Sequence, residues 1–150
     1  MWNDLHTIRT TYRLILEGER PWTALGDFLN YWYAYAVNQR AALIHDPIEE
    51  PHEASLEQHQ WAAFCAATVE YLCQRHELPC PLWVTNTTYH LSHPWFTGLG
   101  AQRLAVQERL RQQSPEPFAR RNIYCNPHAF STKYEIASQA RPSQQISLVG

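Results

Sequence analysis

The chain is predicted to fold as an all-α domain of about five helices with a long, packed aromatic loop. Three observations carry that prediction. Apolar residues recur at helical spacing in several separate windows. Glycine is sparse, at five in 150 residues, which disfavours tight-turned β architecture. Apolar residues make up 45% of the chain and aromatics 13%, ample material for a core and far from the composition of a disordered chain. A chain of this length buries about two thirds of its unfolded surface as one domain. A single helical domain over residues 1–140 is therefore expected, followed by a flexible tail over 141–150.

Leu5, Ile8, Tyr12 and Ile15 share one helical face. Asn3 or Asp4 can cap its start and Gly18 its end, so the first helix is expected over about residues 4–17. Pro21 suits the first turn of a second helix, where its missing N–H costs nothing. Leu25, Phe28, Leu29, Trp32, Tyr35 and Ala36 continue it as a wide apolar stripe. This helix runs to about residue 45 or breaks near Asn38, and the loop "DPIEEPHEA" follows. Ser55 and Gln58 form the S-x-x-Q capping pattern before Trp61, Phe64, Cys65, Thr68 and Leu72, placing a third helix over about 55–76. Ala62, Ala63, Ala66 and Ala67 beside that face would let another helix approach closely.

Residues 78–100 carry five Pro or Gly residues, yet also Leu82, Trp83, Tyr89, Leu91, Trp95 and Phe96. They are expected to pack on the helices as an irregular loop, with a short helical turn near Pro81. A fourth helix is expected over 101–113. The connector "PFARRNIYCNPHAF" then leads to a last helix starting after Asn126-Pro127, since Asn suits the N-cap and Pro the first turn.

No stretch approaches the roughly 18 apolar residues of a membrane span, and "MWNDLHTIRT" lacks the basic-then-apolar form of a signal peptide. A cytoplasmic location is the expectation. Cys65, Cys73, Cys80 and Cys125 are then expected to stay reduced and to pack as small hydrophobes. The net charge of −2 is unevenly spread. Residues 1–57 hold nine acids against four arginines, and residues 101–150 hold seven bases against three acids. Eleven of the twelve bases are Arg, which favours planar, bidentate contacts. A sequence pI near 6.4 argues against a general nucleic-acid binder.

Cys73, His76 and Cys80 fall within eight residues, but there is no paired C-x-x-C, so they are weak zinc candidates. All-helical ribonucleases of the HEPN superfamily use an R-x4–6-H motif, in which Arg steadies phosphate charge and His transfers a proton. Arg40/His45 and Arg121/His128 match it. About two chance matches are expected from this Arg and His content, and Pro127 interrupts the helix that the second match requires. Asp46, Glu49, Glu50 and Glu53 read as a solvated acidic loop. Arg109, Arg111, Arg120, Arg121 and Tyr124 form a basic-aromatic set suited to an acidic protein surface or to stacking and pairing with RNA.

The segments "PWTALGDFLNYW", "QWAAFCAATVEYLCQRHELPCPLWV", "PWF" and "PFARRNIY" resemble a family of small bacterial proteins over about residues 15–135. That resemblance implies an antitoxin-like partner protein of a toxin–antitoxin or defence gene pair. A His at the place of His128 is not part of the family pattern, which weakens the ribonuclease reading. The combined expectation is a non-enzymatic binding protein with no cofactor. It would dock a toxin, an effector or a second copy of itself, as in a homodimer, through Arg109, Arg111, Arg120, Arg121 and Tyr124. A HEPN-like ribonuclease and an RNA-binding accessory are the alternatives.

Overall fold

The computed structural model describes residues 5–128. Its centre is the helix that the capping pattern announces. Here α4 spans Leu56–Arg75; Ser55 Oγ accepts the Gln58 N–H at 3.1 Å and Gln58 Oε1 accepts the Ser55 N–H at 2.9 Å. Such a reciprocal cap contributes on the order of 1 kcal/mol. Every residue from Trp61 to Glu70 is buried. A helix covered on all sides must be apolar or small all round, and "WAAFCAATV" meets that demand.

The other elements wrap this axis. α1, Ile8–Leu16, begins at Thr7, whose Oγ1 accepts the Thr10 N–H at 3.1 Å. The helix thus starts later than the sequence suggests, and Asn3 and Asp4 lie outside the described residues. Gly18 closes it as expected, at φ 106°. Ile8 and Tyr12 are fully buried, and the Tyr12 hydroxyl donates to Gln58 O of α4 at 2.8 Å. α2, Pro21–Asn30, has Pro21 in its first turn. It passes into a π-helical turn over Tyr31–Tyr35, where Ala36 N–H reaches back to Tyr31 O at 2.8 Å. A π turn inserts extra backbone per turn. Tyr35 therefore leaves the apolar stripe and stands 68% exposed. The break expected near Asn38 is present as a 3-10 turn, Val37–Gln39, before α3, Arg40–His45.

The aromatic loop does pack. Val84, Tyr89 and Leu91 are buried, and Trp83 Nε1 donates to Ile44 O at 3.1 Å. Leu82 is the exception, pointing into solvent from a 3-10 turn, Leu82–Thr85, that matches the turn expected near Pro81. α5, Leu104–Gln113, begins three residues later than expected. Two features were not foreseen. α6, Glu116–Ala119, is a single turn in the connector. β1, Trp95–Phe96, and β2, Ile123–Tyr124, form a parallel two-stranded ribbon, with Trp95 opposite Ile123 and Phe96 opposite Tyr124. Among the described residues there are thus six α-helices around one core, in an all-α domain. The helix expected after Pro127 and the tail at 141–150 lie outside the described residues. No described helix is long and apolar enough to cross a membrane.

Candidate functional site

The connector does two jobs on two faces. Alternation along a strand sends neighbouring side chains to opposite sides. Ile123 is fully buried, and its partner Trp95 meets Trp61 edge-on at 5.0 Å and Phe64 at 6.0 Å. Phe96 and Tyr124 therefore face the other way, stacked at 5.1 Å and 24°. The Arg111 guanidinium of α5 lies 5.0 Å from both ring centroids. In α5 the buried residue is Leu110, so Arg109 and Arg111 on either side of it remain exposed. Leu99 is 100% and Leu104 80% exposed on the same segment. Arg109 and Arg111 make no ion pair among the described residues. A cation over ring faces contributes about 0.5–1 kcal/mol at an exposed site, which biases Arg111 toward this position.

Arg121 is a different matter. It is 1% exposed and belongs to the interior, not to a docking surface. Its Nη1 donates to Glu70 Oε1 at 2.6 Å and to Pro117 O at 2.7 Å, and its Nη2 donates to Val84 O at 2.9 Å. One guanidinium thereby ties α4, α6 and the aromatic loop together, and only a planar fork of donors reaches three such acceptors. Arg120 Nη1 pairs with the other Glu70 oxygen at 2.9 Å and the same side chain pairs with Glu116. The hydrogen bond to Glu116 holds the Arg120 pKa above its ordinary value, against partial burial. Arg120 remains 37% exposed at its side chain, so it sits at the edge of the surface with its charge already engaged. Asn122 completes the clamp. At φ 65° its Nδ2 donates to Leu91 O at 2.8 Å, while Trp95 N–H donates to Asn122 O at 2.8 Å.

Among the described residues neither Arg–His match is joined by a hydrogen bond. Arg40 Nε donates to Trp32 O at 2.9 Å and its guanidinium lies over Trp32 and Tyr33. His45 points into solvent, 84% exposed at its side chain, beside Asp46. Arg121 is sealed in the clamp, and His128 is exposed after an Asn126 turn, with its N–H on Asn126 Oδ1 at 2.8 Å. Of the zinc candidates, His76 turns away from Cys73 and Cys80. His76 contacts the Tyr33 hydroxyl at 3.4 Å, whereas Cys73 Sγ lies 3.7 Å from Pro79 O. Among the described residues no three His, Cys, Asp or Glu side chains converge as a metal ion would require. The acidic loop is tied down: Glu49 pairs with Arg9, and Glu50 with His59 at 2.8 Å.

Sequence reasoning missed Glu70 and Phe96. Glu70 carries no motif of its own in "TVEYL". The signal available was its place in a helix with no polar face, where a charge needs a partner. The chain matches no protein-family profile, no curated protein and no solved structure.

Proposed function

We propose that this protein is a non-enzymatic binding protein that docks an acidic surface of a partner protein through Arg109, Arg111 and Tyr124. The observation that carries this reading is Arg111: exposed, free of a carboxylate partner among the described residues, and preordered over Phe96 and Tyr124. Arg and Tyr are typical of residues that dominate interface energies, and preordering lowers the entropy lost on binding. RNA fits this face less well. A base stacks on an open ring face, and here one face of Phe96 and one of Tyr124 are taken by each other, with Arg111 beside both rings. The family resemblance adds the expectation of an antitoxin-like partner to a toxin or effector encoded beside it, in a bacterial cytoplasm.

The test is co-purification with the product of the adjacent gene. Wild-type protein captures it, and R109E/R111E reduces capture at least tenfold while the melting temperature stays unchanged. Undiminished capture by the variant would overturn the docking face. Capture that disappears on nuclease treatment would replace the protein partner with RNA.

A further inference from the structure

The four cysteines divide into two classes. Cys65 and Cys125 are fully buried, and burial lifts both thiols, Cys125 to about 12. Cys73 and Cys80 instead form a pair. α4 stops at Arg75, Glu77 adopts a left-handed φ of 54°, and Leu78 N–H returns to Cys73 O at 2.9 Å. This reversal carries Cys80 back beside the last turn of the helix. Pro79 and Pro81 flank it, and each proline ring fixes its own φ. The result is a held corner in which the Cys73 thiol faces the Cys80 sulfur as a donor and Cys73 Sγ lies 3.7 Å from Pro79 O. Cys73 is 2% exposed, while Cys80 is half-buried and reachable.

We propose that Cys73 and Cys80 are a dithiol modification site that a small peroxide converts to an intramolecular disulfide. Cys80 is the attacking thiol. It is the less buried of the two; burial and then Glu70 raise its pKa, with the Cys73 hydrogen bond, Arg121 and Arg120 pulling it back, while burial pushes Cys73 up to about 12. The Cys80 sulfur attacks one peroxide oxygen, the O–O bond breaks, and the departing hydroxide takes the thiol proton to leave as water. The Cys73 sulfur then attacks the Cys80 sulfenic acid; the S–S bond forms, the S–O bond breaks and a second water leaves. Two thiols lose two electrons in all, and one hydrogen peroxide becomes two waters. The bond would staple the Pro79–Pro81 corner to α4, next to the turn whose Val84 carbonyl Arg121 holds.

The experiment treats reduced, full-length protein with hydrogen peroxide and reads intact mass, followed by peptide mapping after alkylation in denaturant. The expected result is a loss of two hydrogens, a linked Cys73–Cys80 peptide, protection of those two residues alone from alkylation, and reversal by dithiothreitol. The melting temperature should rise by a few degrees on oxidation, since the bridge constrains the unfolded chain. C80S should lose the response; C65A/C125A should keep it. Oxygen addition at Cys80 without a bridge, chain-to-chain disulfides, or no reaction at Cys80 would each overturn the proposal. The wild-type peptide map decides these outcomes even where a variant folds poorly.

Discussion

Removing the Glu70 carboxylate would strand the Arg121 guanidinium in the interior. An unpaired buried charge costs about 3–5 kcal/mol, a large share of the roughly 5–15 kcal/mol that holds a domain together. Glu70→Ala and Arg121→Ala should therefore both destabilise strongly in urea unfolding. Arg120→Ala should cost less than about 1 kcal/mol, because that guanidinium is partly solvated and paired near the surface. Equal losses for Arg120→Ala and Arg121→Ala would show that the clamp is misassigned. The two arginines are adjacent and alike in sequence. Only the turn after α6, which sends one side chain inward and leaves the other at the rim, separates a structural residue from a surface one.

At the scale of elements, local chemistry wrote the clearest signals. Ser55 and Gln58 announce the start of α4, Pro21 the start of α2 and Gly18 the end of α1, because each solves a backbone problem inside one turn. The other end of α4 is marked by the prolines of "LPCP", a few residues beyond Arg75, but no glycine stands at its turn. Glu77 takes the left-handed conformation that glycine adopts without a steric penalty. Glu77→Gly should relieve that cost and stabilise the protein by up to about 1 kcal/mol, read as a rise of a few degrees in thermal melting. An unchanged or lower melting point would mean that the Glu77 side chain contributes more than its backbone strain costs. The β ribbon was not legible for a related reason. Each strand is two residues long, too short for alternation to register, and its partner lies 28 positions away along the chain. The π turn was hidden as well, since "YWYAY" continues the helical stripe and only the packing of Trp32 and Ala36 displaces Tyr35.

For the whole molecule, His6 links folding to pH. Its ring stacks on Tyr31 at 5.8 Å and its Nε2 bonds to Ala24 O at 3.1 Å, joining the start of α1 to α2 and the π turn. Burial lowers its pKa below the ordinary 6.5, although Asp27 and the Ala24 carbonyl pull the other way. The unfolded chain therefore takes up a proton near pH 6.5 that the folded chain resists. The stabilisation is fully present above 6.5 and is lost as the pH falls through the lowered folded value. The urea midpoint of wild type should drop between about pH 7.5 and about pH 5.5, and the drop should shrink in His6→Gln. An NMR titration placing the folded His6 above 6.5 would reverse the sign.

By itself the sequence determined the helical class, the caps of the main helices, the burial of the aromatic loop and the basic-aromatic character of the connector. These are properties of spacing and of single turns, which the chain expresses locally. Tertiary structure alone decided which basic residues belong to the interior and which to the surface. Arg121 and Glu70 meet across 51 positions, and Arg111 meets Phe96 and Tyr124 through a ribbon of distant segments. A charge acquires its role from the acceptors and the solvent around it, and those are set only when the helices and the loop close on α4.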